Sequence, residues 1–258
     1  MPMKGMQALI KTSPTTTELK QIPVPVPGPR EVLVRVKAAA LCGTDLHVHD
    51  WNSWARGAGI ELPVIMGHEC CGEVAQVGSA VTGIKAGDKV AAETHVPCGH
   101  CYQCLNGEQH ICNNLKLFGI HMNGCFAEYA VIPAVCARVI PEQISYDVGA
   151  VLEPIGTAFR AAHESQVGGA NVVVLGCGPI GLFAVASAVM MGAGKVIATD
   201  ISAARLEIAR TMGATMGVNA VDASLVQSVL EATGGYGADV IIDASGSVEA
   251  IKQSFQFV

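Results

Sequence analysis

A glycine-rich turn between an apolar strand and an apolar helical stretch limits what the second half of this chain can fold into. Residues 176–181 read Gly-Cys-Gly-Pro-Ile-Gly, after the β-branched run at 172–175. The apolar residues from 179 to 191 predict a helix that starts inside the turn. A strand, a turn of this kind and a helix form the start of a βαβ unit, and the free N–H groups of the helix can hold a phosphate.

The residues of this turn have separate predicted tasks in binding a dinucleotide. Gly176 allows the sharp turn, Gly178 lets the backbone approach the pyrophosphate, and Gly181 lets the helix and strand pack closely. Asp200 follows Gly181 by 19 residues, where its carboxylate would accept hydrogen bonds from the adenosine ribose and repel a 2′-phosphate. Arg205 either stacks on the adenine or is a solvated helix residue. The pattern favours NAD over NADP, and the alternative is an ordinary βαβ turn with an accidental Asp.

The alternation of strands and helices continues to the end of the chain. It predicts a parallel sheet in a doubly wound α/β fold. Four strands are visible where a full dinucleotide-binding fold has six, so we expect this domain to be C-terminally incomplete. The predicted strands after the first are 195–199, 216–219 and 238–243, and the predicted helices are 202–212, 224–233 and one from 247 to the end.

The first 150 residues have a different pattern. Short β-branched runs at 32–36, 72–77 and 88–92 are separated by Gly and Pro. Such spacing is typical of a β-barrel or a β-sandwich with few helices. The pattern changes near residue 155, which predicts two domains, 1–155 and 156–258.

Composition excludes several classes of protein. Half of the residues are hydrophobic and 15% are charged, so the chain has enough apolar surface to fold. The net charge is −6 without runs of like charge, which argues against an electrostatic nucleic-acid binder. The uncharged stretch 165–194 is long enough for a membrane span, but its glycines favour a buried strand, turn and helix. We see no export signal and expect a cytoplasmic protein.

Four of the ten cysteines lie close together. Cys98, Cys101, Cys104 and Cys112 have the spacing C-x2-C-x2-C-x7-C. Four thiolates in one short loop suit a tetrahedral zinc without an open position, hence a structural metal. An iron–sulfur cluster is an alternative. A nucleic-acid-binding zinc ribbon is disfavoured because residues 98–112 contain no Lys or Arg.

A second group of residues suits a metal that substrate can reach. Cys42, His68, Glu69 and Glu153 offer a thiol, an imidazole and carboxylates. Three such ligands with a vacant position make a catalytic zinc site. Each residue also has a structural interpretation: a small buried thiol, a core histidine or a carboxylate at a helix start. Residues so far apart in sequence need a fold to bring them together.

In their order along the chain, these features resemble the zinc-containing medium-chain alcohol dehydrogenase family. The resemblance covers nearly the whole chain and implies a GroES-like β-barrel domain followed by a Rossmann domain. It implies that Cys42 and His68 bind the catalytic zinc, that Glu69 enters or leaves its coordination, and that Glu153 acts beside the metal as a ligand or relay group. It also implies that the four-cysteine loop holds a structural zinc.

The resemblance further implies a reaction. Thr44 and His47 would move a proton, and Ile180, Asp200 and Arg205 would contact NAD. The segments 41–47, 50–54, 93–98 and 124–129, above all Trp51 and Trp54, favour family members that oxidise the secondary alcohol of L-threonine to 2-amino-3-oxobutanoate. A polyol or butanediol dehydrogenase and a truncated, non-catalytic zinc- and nucleotide-binding protein are the alternatives. A zinc-free quinone reductase is disfavoured by Cys42, His68 and Glu153.

Two departures from the family weaken this interpretation. Thr157 stands where threonine-oxidising members usually have Asn, near the nicotinamide. The chain also stops at Val258, whereas relatives continue through further strands that form the usual subunit contact. We therefore expect the 258-residue chain to be inactive or poorly stable alone, and the full-length protein to be a homo-oligomer, dimer or tetramer. No nucleic-acid or membrane partner is expected.

Overall fold

Antiparallel strands are the main regular elements in the first part of the chain. The computed structural model describes residues 5–222 and 225–258, and the chain divides into two units, Met1–Glu153 and Pro154–Val258. The strands of the first unit are β1 (Met6–Ser13), β2 (Thr16–Ile22), β3 (Glu31–Ala40), β4 (Val64–Ile65), β5 (Glu69–Val77), β6 (Lys89–Ala92), β7 (His95–Val96), β8 (Lys116–Leu117), β9 (Tyr129–Pro133) and β10 (Ala137–Val139). The short helices between them are α1 (Gly43–Asp50), α2 (Ser53–Gly57), α3 (Tyr102–Leu105) and α4 (Tyr146–Ala150).

A five-stranded sheet in the order β10-β6-β5-β3-β9 forms the centre of the first unit. Its β-branched residues form a core that includes Val32, Val34, Val74 and Ile132. The pairing of β3 with β5 shifts register at two places, and such bulges bend and twist strands. A three-stranded sheet, β2-β1-β4, and a two-stranded sheet, β7-β8, complete the β-rich fold, as the first half of the sequence predicts.

The second unit alternates strands and helices. Its elements in chain order are α5 (Leu152–Glu164), β11 (Asn171–Leu175), α6 (Pro179–Met190), β12 (Lys195–Asp200), α7 (Ala203–Thr211), β13 (Met216–Asn219), α8 (Leu225–Ala232), β14 (Val240–Asp243) and α9 (Val248–Ser254). The described strands form a parallel sheet in the order β13-β12-β11-β14. This order leaves β11, which precedes the glycine-rich turn, in the interior of the sheet.

Alternate residues of β11 belong to cores on opposite faces of this sheet. Val172 and Val174 pack in one core with residues of α6 and α7. Val173 and Leu175 pack in the other with residues of α8 and with Phe257. Strands buried on both faces become continuously apolar, which explains the β-branched run, and the doubly wound prediction is confirmed.

The last helix is shorter than the sequence predicts. We expected it to reach the end of the chain, but α9 ends at Ser254. Phe257 is fully buried in the core, and its carbonyl accepts the Ala238 N–H at 2.7 Å. Burying this ring and pairing this carbonyl require the chain to leave the helix. Residue 224, where α8 was predicted to start, lies outside the described residues.

The uncharged stretch 165–194 contains β11, the turn and α6. Among the helices that the structure describes, none combines the length and apolar character that crossing a membrane requires.

Candidate active site

Strand pairing brings the dispersed ligand residues of the first unit together. In the β3–β5 ladder, Ala40 pairs with Glu69. Cys42, two residues beyond Ala40, therefore lies beside His68, which immediately precedes Glu69. One donor atom from each of Cys42, His68 and Glu69 lies within 4.8 Å of the others.

The backbone on both sides of this cluster is firmly held. Cys42 is the N-cap of α1, and its N–H donates to Asp45 Oδ2 at 2.9 Å. Gly67 has φ +89°, and a Cβ there would meet the Phe126 ring at 2.4 Å. Only glycine fits such a position at low cost, so His68 and Glu69 enter β5 from a fixed turn.

The cluster is electrostatically prepared for a cation. His68 and Glu69 are buried. Burial alone would lower the pKa of His68, but the Asp45 carboxylate and the Cys42 thiol outweigh it and raise that pKa to about 10. Burial also raises the pKa of Glu69. The surroundings of the His68 imidazole therefore favour a positive charge at this point.

A zinc ion fits this donor set. Soft thiolate, imidazole and carboxylate are its usual ligands, and three protein ligands leave a fourth position for substrate. The buried Nδ1 of His68 has no hydrogen bond of good geometry within the described residues, although Asp45 Oδ1 lies 3.4 Å away. A carboxylate behind a metal-bound histidine is a common way to orient its ring.

Glu153 lies in a neighbouring cluster that the sequence did not predict. A donor atom from each of Glu93, His95 and Glu153 lies within 4.8 Å of the others. His95 Nδ1 is 2.7 Å from Glu93 Oε1. The Glu153 charge also raises the pKa of Glu69, so this cluster acts electrostatically on the first. The signal available in the sequence was the spacing of Glu93 and His95, two residues apart between β6 and the start of β7.

Thr44 and His47 lie on α1, beside the first cluster. Thr44 is half-buried and His47 is exposed. The ring of His47 lies 6.1 Å from that of Trp54, and its Nδ1 lies 2.9 Å from Asn52 Nδ2. Trp51 ends α1 in the left-handed conformation, with φ 50°. Trp51 thus ends the helix that carries His47, and Trp54 lies near the His47 ring from α2.

The four cysteines of the loop converge as their spacing predicts. Donor atoms of Cys98, Cys101, Cys104 and Cys112 all lie within 4.8 Å of one another. Three of the sulfur–sulfur distances are 4.0, 3.5 and 3.8 Å. Four sulfurs at about 2.3 Å from a tetrahedral zinc lie about 3.8 Å apart, so the loop fits zinc without rearrangement.

Two thiols of this loop have pKa values that are shifted in opposite directions. The backbone N–H of His100 is the main cause that lowers the pKa of Cys98 to about 6. Burial raises the pKa of Cys104 to about 12. A bound cation removes this conflict because it stabilises every thiolate at once.

A cavity of about 290 Å³ lies above the glycine-rich turn in the second unit. Its wall includes Gly176, Gly178, Asp200 and Arg205. A Cβ at Gly178 would meet nothing within 4 Å, whereas one at Gly181 would lie 1.8 Å from the Gly176 carbonyl oxygen. The start of α6 is therefore open to a ligand while the turn behind it is closely packed, as a dinucleotide requires.

Asp200 holds the turn as well as facing the cavity. Its Oδ2 accepts the Cys177 N–H at 2.7 Å, and its Oδ1 accepts the Ser202 N–H at 2.8 Å. Arg205 lies 3.9 Å from the same carboxylate. Ile180 is partly buried and packs against the core of its unit, and its contact with NAD stays a prediction. Sequence reasoning missed Ser245 and Ser247, which line the cavity at the carboxyl end of β14.

Two family descriptions match the sequence. "Alcohol dehydrogenase GroES-like domain" matches residues 28–142, and "Zinc-binding dehydrogenase" matches residues 179–258. The chain belongs to the zinc-containing medium-chain alcohol dehydrogenase family, and it is an oxidoreductase of that class.

Relatives that match nearly the whole chain are named L-threonine 3-dehydrogenase. The protein of Pyrococcus abyssi is 42% identical over 254 residues, which are 98% of this chain and 73% of the relative. The protein of Bacillus subtilis is 43% identical over 235 residues, covering 91% of this chain and 67% of the relative.

Solved structures share the fold. A putative zinc-binding dehydrogenase from Sinorhizobium meliloti, bound to NADP, has a TM-score of 0.92 and 33% identity over 99% of this chain and 74% of its own. An alcohol dehydrogenase from Escherichia coli, complexed with NADH, has a TM-score of 0.89 and 32% identity over the same shares.

Proposed function

We propose that this chain oxidises L-threonine to 2-amino-3-oxobutanoate with NAD as the hydride acceptor. The observation that carries the proposal is the convergence of Cys42, His68 and Glu69 on one point. A mixed set of three protein donors is typical of a catalytic zinc, whose fourth position is taken by substrate or water. The match to relatives named L-threonine 3-dehydrogenase supports the choice of substrate.

The metal site would hold and activate the substrate hydroxyl. Cys42, His68 and Glu69 bind the zinc, and Asp45 orients His68. When bound, zinc supplies Lewis-acid polarisation of the hydroxyl, and NAD supplies the acceptor for hydride.

Two residues of α1 would carry the proton that the alcohol loses. Thr44 offers a hydroxyl that accepts this proton and donates its own onward. His47, exposed on the same helix, would pass the proton to solvent. One proton leaves for each hydride transferred, which balances the oxidation.

Carboxylates beside the metal cluster favour an amino alcohol over a polyol. Glu93 and Glu153 lie with His95 next to that cluster. Their negative charge is complementary to the ammonium group of L-threonine, which a polyol lacks. In addition to its place beside the metal, we assign Glu153 to this recognition.

The charge of Asp200 supports NAD rather than NADP. Its carboxylate faces the cavity above the turn and would meet the adenosine ribose. A 2′-phosphate there would be repelled by this charge, although Arg205 at 3.9 Å reduces the repulsion.

A substrate panel tests the proposal. The zinc-loaded chain is mixed with NAD and L-threonine, sorbitol or 2,3-butanediol, and NADH formation is followed by absorbance. Because the sequence predicts a poorly active or poorly stable chain, the test compares rates between substrates: we expect the highest kcat/KM with L-threonine and no turnover in a Cys42→Ser control. A higher kcat/KM for either diol would reject the substrate, and no turnover of any of the three would reject catalysis by this chain.

A further inference from the structure

Asn52 joins the proton-carrying helix α1 to the start of α2. It is the N-cap of α2, and its Oδ1 accepts the Ala55 N–H at 3.1 Å. Its Nδ2 lies 2.9 Å from His47 Nδ1. One side chain therefore caps a helix with its oxygen and contacts the imidazole with its nitrogen.

The helix cap determines the orientation of the Asn52 side-chain amide. A backbone N–H can only donate, so the atom facing Ala55 must be the amide oxygen. The other end is then the NH2 group, which also can only donate. His47 Nδ1 must accept this hydrogen bond and therefore carries no proton.

The backbone around Asn52 keeps this arrangement in place. The Asn52 N–H donates to the His47 carbonyl at 3.3 Å, and the Asn52 carbonyl accepts the Arg56 N–H at 3.1 Å. Arg56 Nη1 also donates to the Trp51 carbonyl at 2.9 Å. The two short helices are thereby tied to each other on both sides of Asn52.

We propose that Asn52 is a positioning residue that holds His47 as the neutral tautomer with its proton on Nε2. In this state the imidazole offers one donor, Nε2–H, and its single lone pair is occupied by Asn52. His47 can take up a proton only at Nδ1, after the hydrogen bond to Asn52 opens. A role of Asn52 in catalysis rests on the proposed proton path. The assignment of the His47 tautomer is independent of that path.

Two substitutions separate this role from helix capping. Asn52→Asp and Asn52→Ser both keep an oxygen that can cap α2. Asp presents a carboxylate oxygen to His47 and demands a proton on Nδ1, whereas Ser, with its shorter side chain, lacks the amide NH2 group that contacts the ring. Asn123→Asp is the matched control, because Asn123 Oδ1 likewise accepts a backbone N–H, from Ile65 at 3.0 Å, and lies outside the proposed site.

Nitrogen-15 NMR of the imidazole rings measures the tautomer directly. The zinc-loaded chain is labelled at histidine, and the His47 signals are assigned with a His47→Gln variant. We expect an unprotonated Nδ1 and a protonated Nε2 in the wild type and in Asn123→Asp. In Asn52→Asp we expect a protonated Nδ1. A protonated Nδ1 in the wild type, or unchanged His47 signals in Asn52→Asp, would overturn the proposal.

Turnover with L-threonine and NAD adds a kinetic measurement. A carboxylate beside the imidazole favours its charged form, which cannot accept a further proton. We expect Asn52→Asp to lower kcat about tenfold at neutral pH, below the full effect of general acid–base catalysis. Asn52→Ser should stay within about threefold. If NMR shows the inferred tautomer but the chain has no turnover, the proposed function is rejected and the role assigned to Asn52 is retained.

Discussion

Asp45 Oδ1 lies 3.4 Å from His68 Nδ1, and both side chains are almost fully buried. The other oxygen of Asp45 accepts the Cys42 N–H. One carboxylate therefore contacts two of the residues that we assign to the catalytic zinc. Its position three residues after the N-cap of α1 gives it both contacts at once.

Asp45→Asn should weaken zinc binding at the catalytic site about 10- to 100-fold, the usual cost of losing a carboxylate behind a metal-bound histidine. The amide still offers an oxygen to the Cys42 N–H, so α1 keeps its cap. Competition with a chelator measures the affinity. Asp50→Asn, at the other end of α1, is the control and should change the affinity less than twofold. Equal affinities in Asp45→Asn and the wild type would show that Asp45 does not orient His68.

Cys104→Ser should reduce the zinc content from two ions to one per chain and lower the melting temperature. The loop from Cys98 to Cys112 has little apolar core of its own, so the metal replaces it. Elemental analysis and thermal unfolding are the measurements. Cys136→Ser is the matched control, since its hydroxyl can still donate to the His95 carbonyl as the thiol does. An unchanged zinc content in Cys104→Ser would argue against a metal in this loop.

Asp200→Asn should reduce the preference for NADH over NADPH at least about tenfold, measured as the ratio of the two dissociation constants by cofactor fluorescence. The loss of charge removes the repulsion of the 2′-phosphate. It also leaves one of two backbone N–H groups without an acceptor, which costs about 1–3 kcal/mol of stability. Asp239→Asn, which accepts the Asn171 N–H at the other end of β11, should keep the wild-type ratio. A ratio that does not move in Asp200→Asn would place cofactor selection elsewhere.

The Glu93–His95 pair should stabilise the metal-free chain mainly between pH 4.5 and 6.5. The hydrogen bond to Glu93 raises the pKa of His95 above 6.5, so its stabilisation is present below that value and is lost as pH rises through the raised pKa. The hydrogen bond from His95 lowers the pKa of Glu93 below 4.5, so its stabilisation is lost as pH falls through the lowered value.

Glu93→Gln tests this window by thermal unfolding at pH 5.5 and 9. Both side chains of the pair are about two-fifths exposed. The substitution should therefore lower the free energy of unfolding at pH 5.5 by at most about 1 kcal/mol. This decrease in the free energy of unfolding should be smaller at pH 9. Glu164→Gln, which removes an exposed carboxylate paired with Arg160, is the control. If Glu93→Gln lost more stability at pH 9 than at pH 5.5, the predicted pH dependence of the Glu93–His95 pair would be contradicted.

Local patterns made most of the fold predictable. The strand at β11, the turn and α6 follow from a β-branched run, glycines at fixed offsets and an apolar helix, all within about twenty residues. The four-cysteine loop is equally local. The end of α9 was missed because the burial of Phe257 against β14 is a tertiary effect that no local pattern shows.

The metal site could be suspected from sequence but not assembled. Cys42 and His68 meet because Ala40 pairs with Glu69, and a slip of one residue would turn every side chain of the strand to the other face. Packing across the sheet sets this register. Asp45 could have been found as the third residue after a helix N-cap, whereas the Glu93–His95–Glu153 cluster and the Asn52 contact depend on the folded chain.

A crystal of the zinc-loaded chain, measured at the zinc absorption edge, tests the convergence of Cys42, His68 and Glu69 most directly. We expect two anomalous peaks, one inside the four-cysteine loop and one within bonding distance of the Cys42 sulfur and a His68 nitrogen. A map with a peak in the loop and none between Cys42 and His68 would contradict the proposed dehydrogenase site.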